Sequence, residues 1–126
     1  MSRKWLHYKV EKEKRIEQEF KKALDKMISK LNGEVTIILF GSRATGKHMI
    51  GSDFDILVIS DKFTNMNIFD RINMLLKDLP PTLKIQIIPL TTKEYKNALN
   101  DKSIIVSEAL EKGKILYDGL SLLSKN

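Results

Sequence analysis

Two acidic residues stand where they do not help folding, at the start of an apolar segment. Asp53 and Asp55 flank Phe54, and residues 56–59 are all aliphatic. Residues two apart along a strand point to the same face, so the two carboxylates share one surface. Paired carboxylates repel each other unless a cation lies between them, and they match the ligands with which proteins hold Mg²⁺ on a nucleotide. We therefore predict that Asp53 and Asp55 are metal ligands and catalytic residues.

A glycine and a serine end an earlier apolar segment. Gly41 and Ser42 follow residues 35–40, and ten residues separate Ser42 from Asp53. Glycine lets the backbone approach a phosphate closely, and a serine hydroxyl with the amides of a turn can donate hydrogen bonds to it. Arg43 can add a contact to a phosphate oxygen, or equally bind a local carboxylate or water. These residues are the predicted nucleotide-binding group: Gly41, Ser42 and Arg43.

Neither half of this pattern is specific alone. An Asp-x-Asp pair is more often a turn, a cap or a solvated edge, and a Gly-Ser turn is commoner still. Their joint placement at the ends of two successive apolar segments is much rarer, and it favours a functional site over a structural turn.

The elements that must position these residues follow from the hydrophobic pattern. Helices are predicted at residues 10–31, 68–79, 91–99 and 104–112, and strands at residues 35–40, 53–60, 83–88 and 114–117. Asn32 and Gly33 are expected to end the first helix, and residues 61–67 to form a loop. Residues 41–46 are expected to form a turn that can include one helical turn, which Ser42 can cap. Pro89 is expected to close the third strand, and Thr91 or Thr92 to cap the helix that follows, with Glu94 completing a capping box. The order predicts an α/β or α+β fold, a small mixed β-sheet with flanking helices.

Length and composition exclude several classes of protein. The chain has 126 residues, 42% of them hydrophobic, which predicts one domain spanning residues 1–126. It has no cysteine, so disulfides, thiolate metal sites and thiol nucleophiles are excluded. No apolar run resembles a signal peptide or a membrane span, so we expect a soluble, cytoplasmic protein with no membrane contact. The formal charge of +6 is a weak signal for phosphate-bearing partners, because many lysines alternate with glutamates on one helix.

The motif resembles the signature of the DNA polymerase β-like nucleotidyltransferase superfamily. The stretch from Leu39 to Gly46 is similar to that of its minimal members, single-domain prokaryotic proteins often paired with a HEPN-domain partner in toxin-antitoxin modules. The resemblance implies Mg²⁺-dependent transfer of a nucleoside monophosphate, with AMP from ATP as the expected case, to a hydroxyl on that partner. By the same resemblance, Asp53 and Asp55 hold the metal, and Gly41, Ser42 and Arg43 contact the triphosphate.

One position departs from the family's pattern. The family places a third carboxylate on a following strand, and this chain has Gln86 there. Glutamine is neutral and cannot act as a general base, although it can offer a carbonyl oxygen to a metal. Alternatively, Gln86 is only a polar residue on the solvated face of an edge strand. Glu94 or Asp61 could supply the missing carboxylate, but nothing in their spacing places either residue at the site.

Two hypotheses for function follow. In the first, the chain is an enzyme that modifies a hydroxyl, such as a tyrosine, on a partner toxin. In the second, it is a catalytically impaired antitoxin that acts by binding its partner. A nucleic-acid binder ranks last, because no aromatic-interleaved basic stripe is present. The short chain suggests that a partner supplies the acceptor surface, in a homo- or hetero-oligomer.

The remaining polar and aromatic candidates receive simpler interpretations. His7 and His48 are the only histidines, and neither has a partner at metal-ligand spacing, so both are expected to be surface or loop residues. Trp5 and Tyr8 lie beside basic residues and could anchor a partner or stack on a base.

Overall fold

The computed structural model describes residues 3–123 of the chain. Within them, the strands are β1 (Thr36–Phe40), β2 (Phe54–Ile59), β3 (Ile85–Leu90) and β4 (Lys114–Asp118). The helices are α1 (Arg3–Lys30), α2 (Ser42–Thr45), α3 (Ile68–Leu76), α4 (Thr92–Asn100) and α5 (Ile104–Lys112), with a 3-10 helix at Asp61–Phe63. The strands form one sheet in the order β3-β2-β1-β4, in which only the β2–β3 pair is parallel. The predicted small mixed sheet with flanking helices is confirmed.

The sheet is covered on both faces because its two central strands are apolar on both sides. One cluster joins α1 and α3 to the sheet, and its strand members include Ile37, Leu39, Phe54, Ile56 and Val58. The other joins α4 and α5 to the opposite face, through Ile38, Leu57 and Ile59. Side chains alternate along a strand, so Phe54 lies on the α1 face and Asp55 on the α5 face.

Helix α1 is longer than the apolar stripe predicted. It begins at Arg3 instead of residue 10, since residues 3–9 contain no glycine or proline to stop it. Its end agrees with the prediction: Asn32 and Gly33 adopt φ of 54° and 74°, and the Gly33 amide donates to the Ile28 carbonyl.

Two further boundaries and one loop differ from the sequence-based expectation. Strand β3 runs through Pro89 to Leu90 instead of closing before the proline. It is an edge strand, where a missing amide donor is tolerated. Helix α3 ends at Leu76, and a turn covers the next residues up to Leu79. Residues 61–63, expected to be a loop, form a 3-10 turn that the Ser60 side chain caps.

No helix within residues 3–123 is both long and apolar enough to cross a bilayer. The cytoplasmic location stays a prediction.

Candidate functional site

The antiparallel pairing of β1 and β2 brings the two halves of the motif together. Phe40, the last residue of β1, pairs with Asp55. Gly41 therefore lies directly beside the Asp55 side chain. A Cβ added to Gly41 would lie 2.3 Å from Oδ2 of Asp55, and Gly41 adopts φ 73° and ψ −158°, a region that only glycine visits readily. This close approach explains why glycine is needed between the strand and the short helix α2.

The conformation of Gly41 leads to a first prediction. Gly41→Ala should lower the free energy of unfolding by about 1–3 kcal/mol, because it adds a steric clash to a forbidden backbone conformation. Gly46→Ala is the matched control: Gly46 also has positive φ, but a Cβ there meets nothing within 4 Å. Gly46→Ala should lower the free energy of unfolding by only about 1 kcal/mol. Urea denaturation measures both, and equal losses would contradict the proposed contact with Asp55.

Ser42 does not cap the short helix α2, while its contact with a nucleotide stays a prediction. The N-cap of α2 is Gly41, and no side chain caps the helix, so the expectation that Ser42 caps it is wrong. The Ser42 carbonyl instead accepts hydrogen bonds from the amides of Gly46 and Lys47, which closes the turn.

Gln86 lies beside the aspartate pair. It pairs with Asp55 across the parallel β2–β3 ladder, and its Nε2 donates a hydrogen bond to Oδ2 of Asp53 at 2.9 Å. It is also an exposed residue on an edge strand, as the alternative interpretation expected. The strand neighbour of the two carboxylates is therefore a neutral amide that neutralises no charge.

The surroundings of Asp55 disfavour the ionised form of its carboxyl group when no cation is bound. The pKa of the Asp55 carboxyl is raised, first by burial, then by the charge of Asp53, and least by the charge of Glu108 on α5. Glu108 is thus an additional carboxylate from another segment whose charge acts on the site. Sequence reasoning missed it, because only the packing of α5 on β1 brings it to this face. A bound cation would reverse these effects, so the surroundings of Asp55 fit a metal.

This raised pKa leads to a second prediction. The folded state holds the Asp55 proton more tightly than the unfolded state, so ionised Asp55 destabilises the fold above its folded pKa. Without added metal, Asp55→Asn should raise the free energy of unfolding at neutral pH by about 0.5 kcal/mol, a small value because water screens a partly open site. The gain should shrink as pH falls through the folded pKa and vanish below the unfolded pKa. Urea denaturation at several pH values measures it, and a gain that persists in acid would contradict the stated origin.

Two other carboxylates considered for the site are engaged elsewhere. Glu94 completes the capping box with Thr91 and pairs with Arg71, an ion pair 2.6 Å long that lowers the pKa of the Glu94 carboxyl. Asp61 accepts hydrogen bonds from the backbone and side chain of Thr92. Neither is available to Asp53 and Asp55 in this arrangement.

Arg43 lies on the α1 face of the sheet. Its Nη1 pairs with Glu13, its Nε donates to the Ser52 carbonyl at 2.9 Å, and its guanidinium lies 3.9 Å from the centre of the Phe54 ring. A buried cation–π contact of this kind contributes about 2 kcal/mol. The contact with a local carboxylate, the alternative considered for Arg43, is the one observed. A contact with a nucleotide phosphate stays a prediction.

A second group of possible metal ligands lies beside Arg43. His48 Nε2 is 3.4 Å from Oε1 of Glu13, and Glu17 is close to both residues. His48 lies in the loop between α2 and β2, as expected, but the fold gives it two carboxylate neighbours that sequence spacing did not indicate. The two glutamates are far from His48 in sequence, so only the folding of α1 against the loop after α2 could reveal the group.

Comparisons with known proteins agree with this architecture. The family model "Nucleotidyltransferase domain" matches residues 17–115, which include both halves of the motif and Gln86. This match covers more than half of the chain, and the chain belongs to that family. Among proteins of curated function, none matches the sequence.

Two solved structures show the same fold. A putative nucleotidyltransferase from Sulfolobus solfataricus is 23% identical, with a TM-score of 0.58 over 85% of this chain and 84% of its own. A structure described as a toxin-antitoxin with AMP-PNP is 21% identical, with a TM-score of 0.51 over 76% of this chain and 71% of its own. At these identities the likeness establishes the fold only.

Proposed function

We propose that the chain binds a Mg²⁺–nucleoside triphosphate at Gly41, Ser42, Asp53 and Asp55 and transfers the nucleoside monophosphate to a hydroxyl. The bond between the α-phosphorus and the bridging oxygen breaks as the new ester bond forms, and pyrophosphate leaves. ATP is the expected donor and AMP the transferred group. The acceptor belongs to a partner protein, which we propose to be of the HEPN type in a toxin-antitoxin pair. The family membership supports the reaction class, and the toxin-antitoxin neighbour crystallised with AMP-PNP supports the nucleotide and the partner.

The observation that carries the proposal is the packing of Gly41 against Asp55. It places a side-chain-free turn directly at a carboxylate whose ionised form is disfavoured by its surroundings. A turn without a Cβ lets a phosphate approach, and a carboxylate in this environment gains from a cation. A structural turn alone would need neither Asp53 nor Asp55.

The residues of the chain divide the chemistry between them. When bound, Mg²⁺ neutralises phosphate charge and orients the reacting oxygens. Asp53 and Asp55 hold the cation, while the backbone amides of the Gly41–Ser42 turn and the Ser42 hydroxyl orient the triphosphate. Gln86 holds Asp53 in place through its hydrogen bond, but it cannot take the proton of the attacking hydroxyl. The acceptor's proton must therefore leave by another route, such as solvent.

A second function rests on the same glutamine. If transfer does not occur because no base removes the proton of the acceptor hydroxyl, the chain is a nucleotide-binding antitoxin. It then neutralises its partner by forming a complex. The amide of Gln86 beside Asp53, where the resemblance implies a carboxylate, is the observation that favours it. Both functions require the nucleotide site, so nucleotide binding is tested separately from transfer.

Calorimetry with an ATP analogue tests the shared step. The analogue carries a methylene bridge between its α- and β-phosphates, so nucleotidyl transfer cannot cleave it. We expect one binding site per chain in Mg²⁺, and binding at least tenfold weaker after chelation of Mg²⁺. Equal affinity with and without Mg²⁺ would overturn the metal's role, and no binding in Mg²⁺ would overturn both functions.

A further inference from the structure

We propose that Glu13, Glu17 and His48 form a Zn²⁺ site on the α1 face of the sheet, separate from Asp53 and Asp55. One ligand atom from each of the three residues lies within 4.8 Å of the other two. Glu13 and Glu17 are one helical turn apart, so they share one face of α1. His48 comes from the loop between α2 and β2. The site would join two segments that are distant in sequence.

Unpaired buried atoms point to a missing ligand. Among residues 3–123, the buried side-chain atoms without a hydrogen-bond partner are Oε2 of Glu13, Nδ1 of His48 and Nη2 of Arg43. Nη1 of Arg43 and Nε2 of His48 both contact Oε1 of Glu13, so the three residues belong to one cluster. Buried polar atoms are nearly always paired, so three at one place are unusual. A bound ion with its own water or hydroxide would supply the partners they lack.

Arg43 supports this site without acting as a ligand. Its side chain is only 2% exposed, and Nη1 pairs with Oε1 of Glu13, which leaves Oε2 free for a metal. Metal-bound carboxylates and imidazoles commonly have such an outer partner to fix their orientation. The free Nη2 is a donor, and a metal-bound hydroxide is an acceptor of the kind it needs.

The donor set selects the metal. One imidazole nitrogen with two carboxylates suits Zn²⁺, which takes three protein ligands and a water, whereas Mg²⁺ prefers oxygen ligands only. Ligand atoms at about 2.1 Å from a tetrahedral Zn²⁺ lie about 3.5 Å from one another. The ligand atoms of the three side chains lie within 4.8 Å of one another, so these distances must shorten by about 1 Å when the ion binds. A cavity of about 290 Å³ borders Glu17, Arg43 and His48, and Glu17 is exposed, so an ion can reach the site from solvent.

The site lies across the sheet from the aspartates. Arg43 and Glu13 belong to the Phe54 face, and Asp55 belongs to the other. A metal bound here would hold α1 against the loop between α2 and β2. Its role would therefore be to position that loop, and Zn²⁺ binding itself does not depend on the proposed transfer reaction.

Zn²⁺ titration of the full chain tests the proposal. The background is the double variant Asp53→Asn with Asp55→Asn, which lacks the other metal site. Calorimetry should show one Zn²⁺ per chain, and His48→Gln or Glu17→Gln should weaken binding at least about 100-fold, more than the loss of an outer partner costs. The controls His7→Gln and Glu19→Gln change exposed residues of α1 and should bind normally.

Bound Co²⁺ supplies an independent readout. Its visible absorption reports a nitrogen and oxygen coordination sphere, and it should disappear in His48→Gln, with circular dichroism confirming that the variant is folded. Failure of the folded background variant to bind Zn²⁺ would overturn the proposal. Binding that survives in both His48→Gln and Glu17→Gln would also overturn it, because the ion would then lie elsewhere.

Discussion

Replacing both Asp53 and Asp55 by asparagine should reduce nucleotide transfer at least about 10³-fold. Asparagine keeps the shape of each side chain but removes both charges that would hold the cation, and metal-dependent stabilisation of phosphate charge is a large part of such catalysis. The fold should survive, because the change relieves the repulsion that raises the pKa of Asp55. The measurement is the rate of label transfer from ATP in Mg²⁺ to the protein encoded beside this chain's gene.

A charge-matched control distinguishes the loss of the metal ligands from a general effect of removing two negative charges. Asp25→Asn with Asp101→Asn also removes two carboxylates, and both residues are exposed and outside the site. This control should transfer at the wild-type rate. If the site variant keeps its rate, Asp53 and Asp55 are not the metal ligands. If the control loses as much activity as the site variant, the loss is a general effect of removing two negative charges and gives no support to these two ligands.

Gln86→Asp should raise the transfer rate about 10²-fold. Gln86 pairs with Asp55 and donates to Asp53, so an aspartate there would put a third carboxylate at the metal and a base near the acceptor hydroxyl. General-base catalysis contributes roughly 10²–10⁴-fold, and a shorter side chain placed by substitution should reach the lower end. The measurement is the transfer rate at saturating ATP. Without metal the variant should be less stable, because three carboxylates repel one another.

The matched control is Gln86→Asn. It shortens the side chain as aspartate does but adds no charge, so it should leave the rate unchanged or lower. A gain in Gln86→Asn would mean that removing the glutamine matters more than adding a carboxylate. No gain in Gln86→Asp would show that the absent third carboxylate does not limit this protein.

The fold could be predicted largely because its elements are marked by local patterns. The apolar runs of β1 and β2, the stop at Gly33 and the capping box at Thr91 each depend on neighbours within a few residues. Strand β3 continues through Pro89 because the effect of a proline depends on strand order, which is a property of the whole sheet. The start of α1 was missed because a helix can continue where its residues are no longer packed on the core.

Within the candidate site, only the residues that belong to strands or directly follow them could be predicted from the sequence. Gly41 lies beside Asp55 once β1 and β2 are neighbours, because Phe40 then pairs with Asp55. Gln86 reaches the same place because β3 pairs it with Asp55. The contributions of helices were not predictable, because helix packing brings together residues that are far apart in sequence. Glu108 and the contact of His48 with Glu13 are the two examples.

Nucleotidyl transfer by this protein is tested most directly with ATP labelled at either the α- or the γ-phosphate. Wild-type protein, Mg²⁺ and the product of the neighbouring gene are incubated with each form, and label on protein is measured. Nucleotidyl transfer predicts label from the α-position only, lost when Mg²⁺ is chelated. Label from the γ-position would contradict nucleotidyl transfer, since it would mean phosphoryl transfer. No label from either position would contradict transfer as well, and it would favour the partner-binding function.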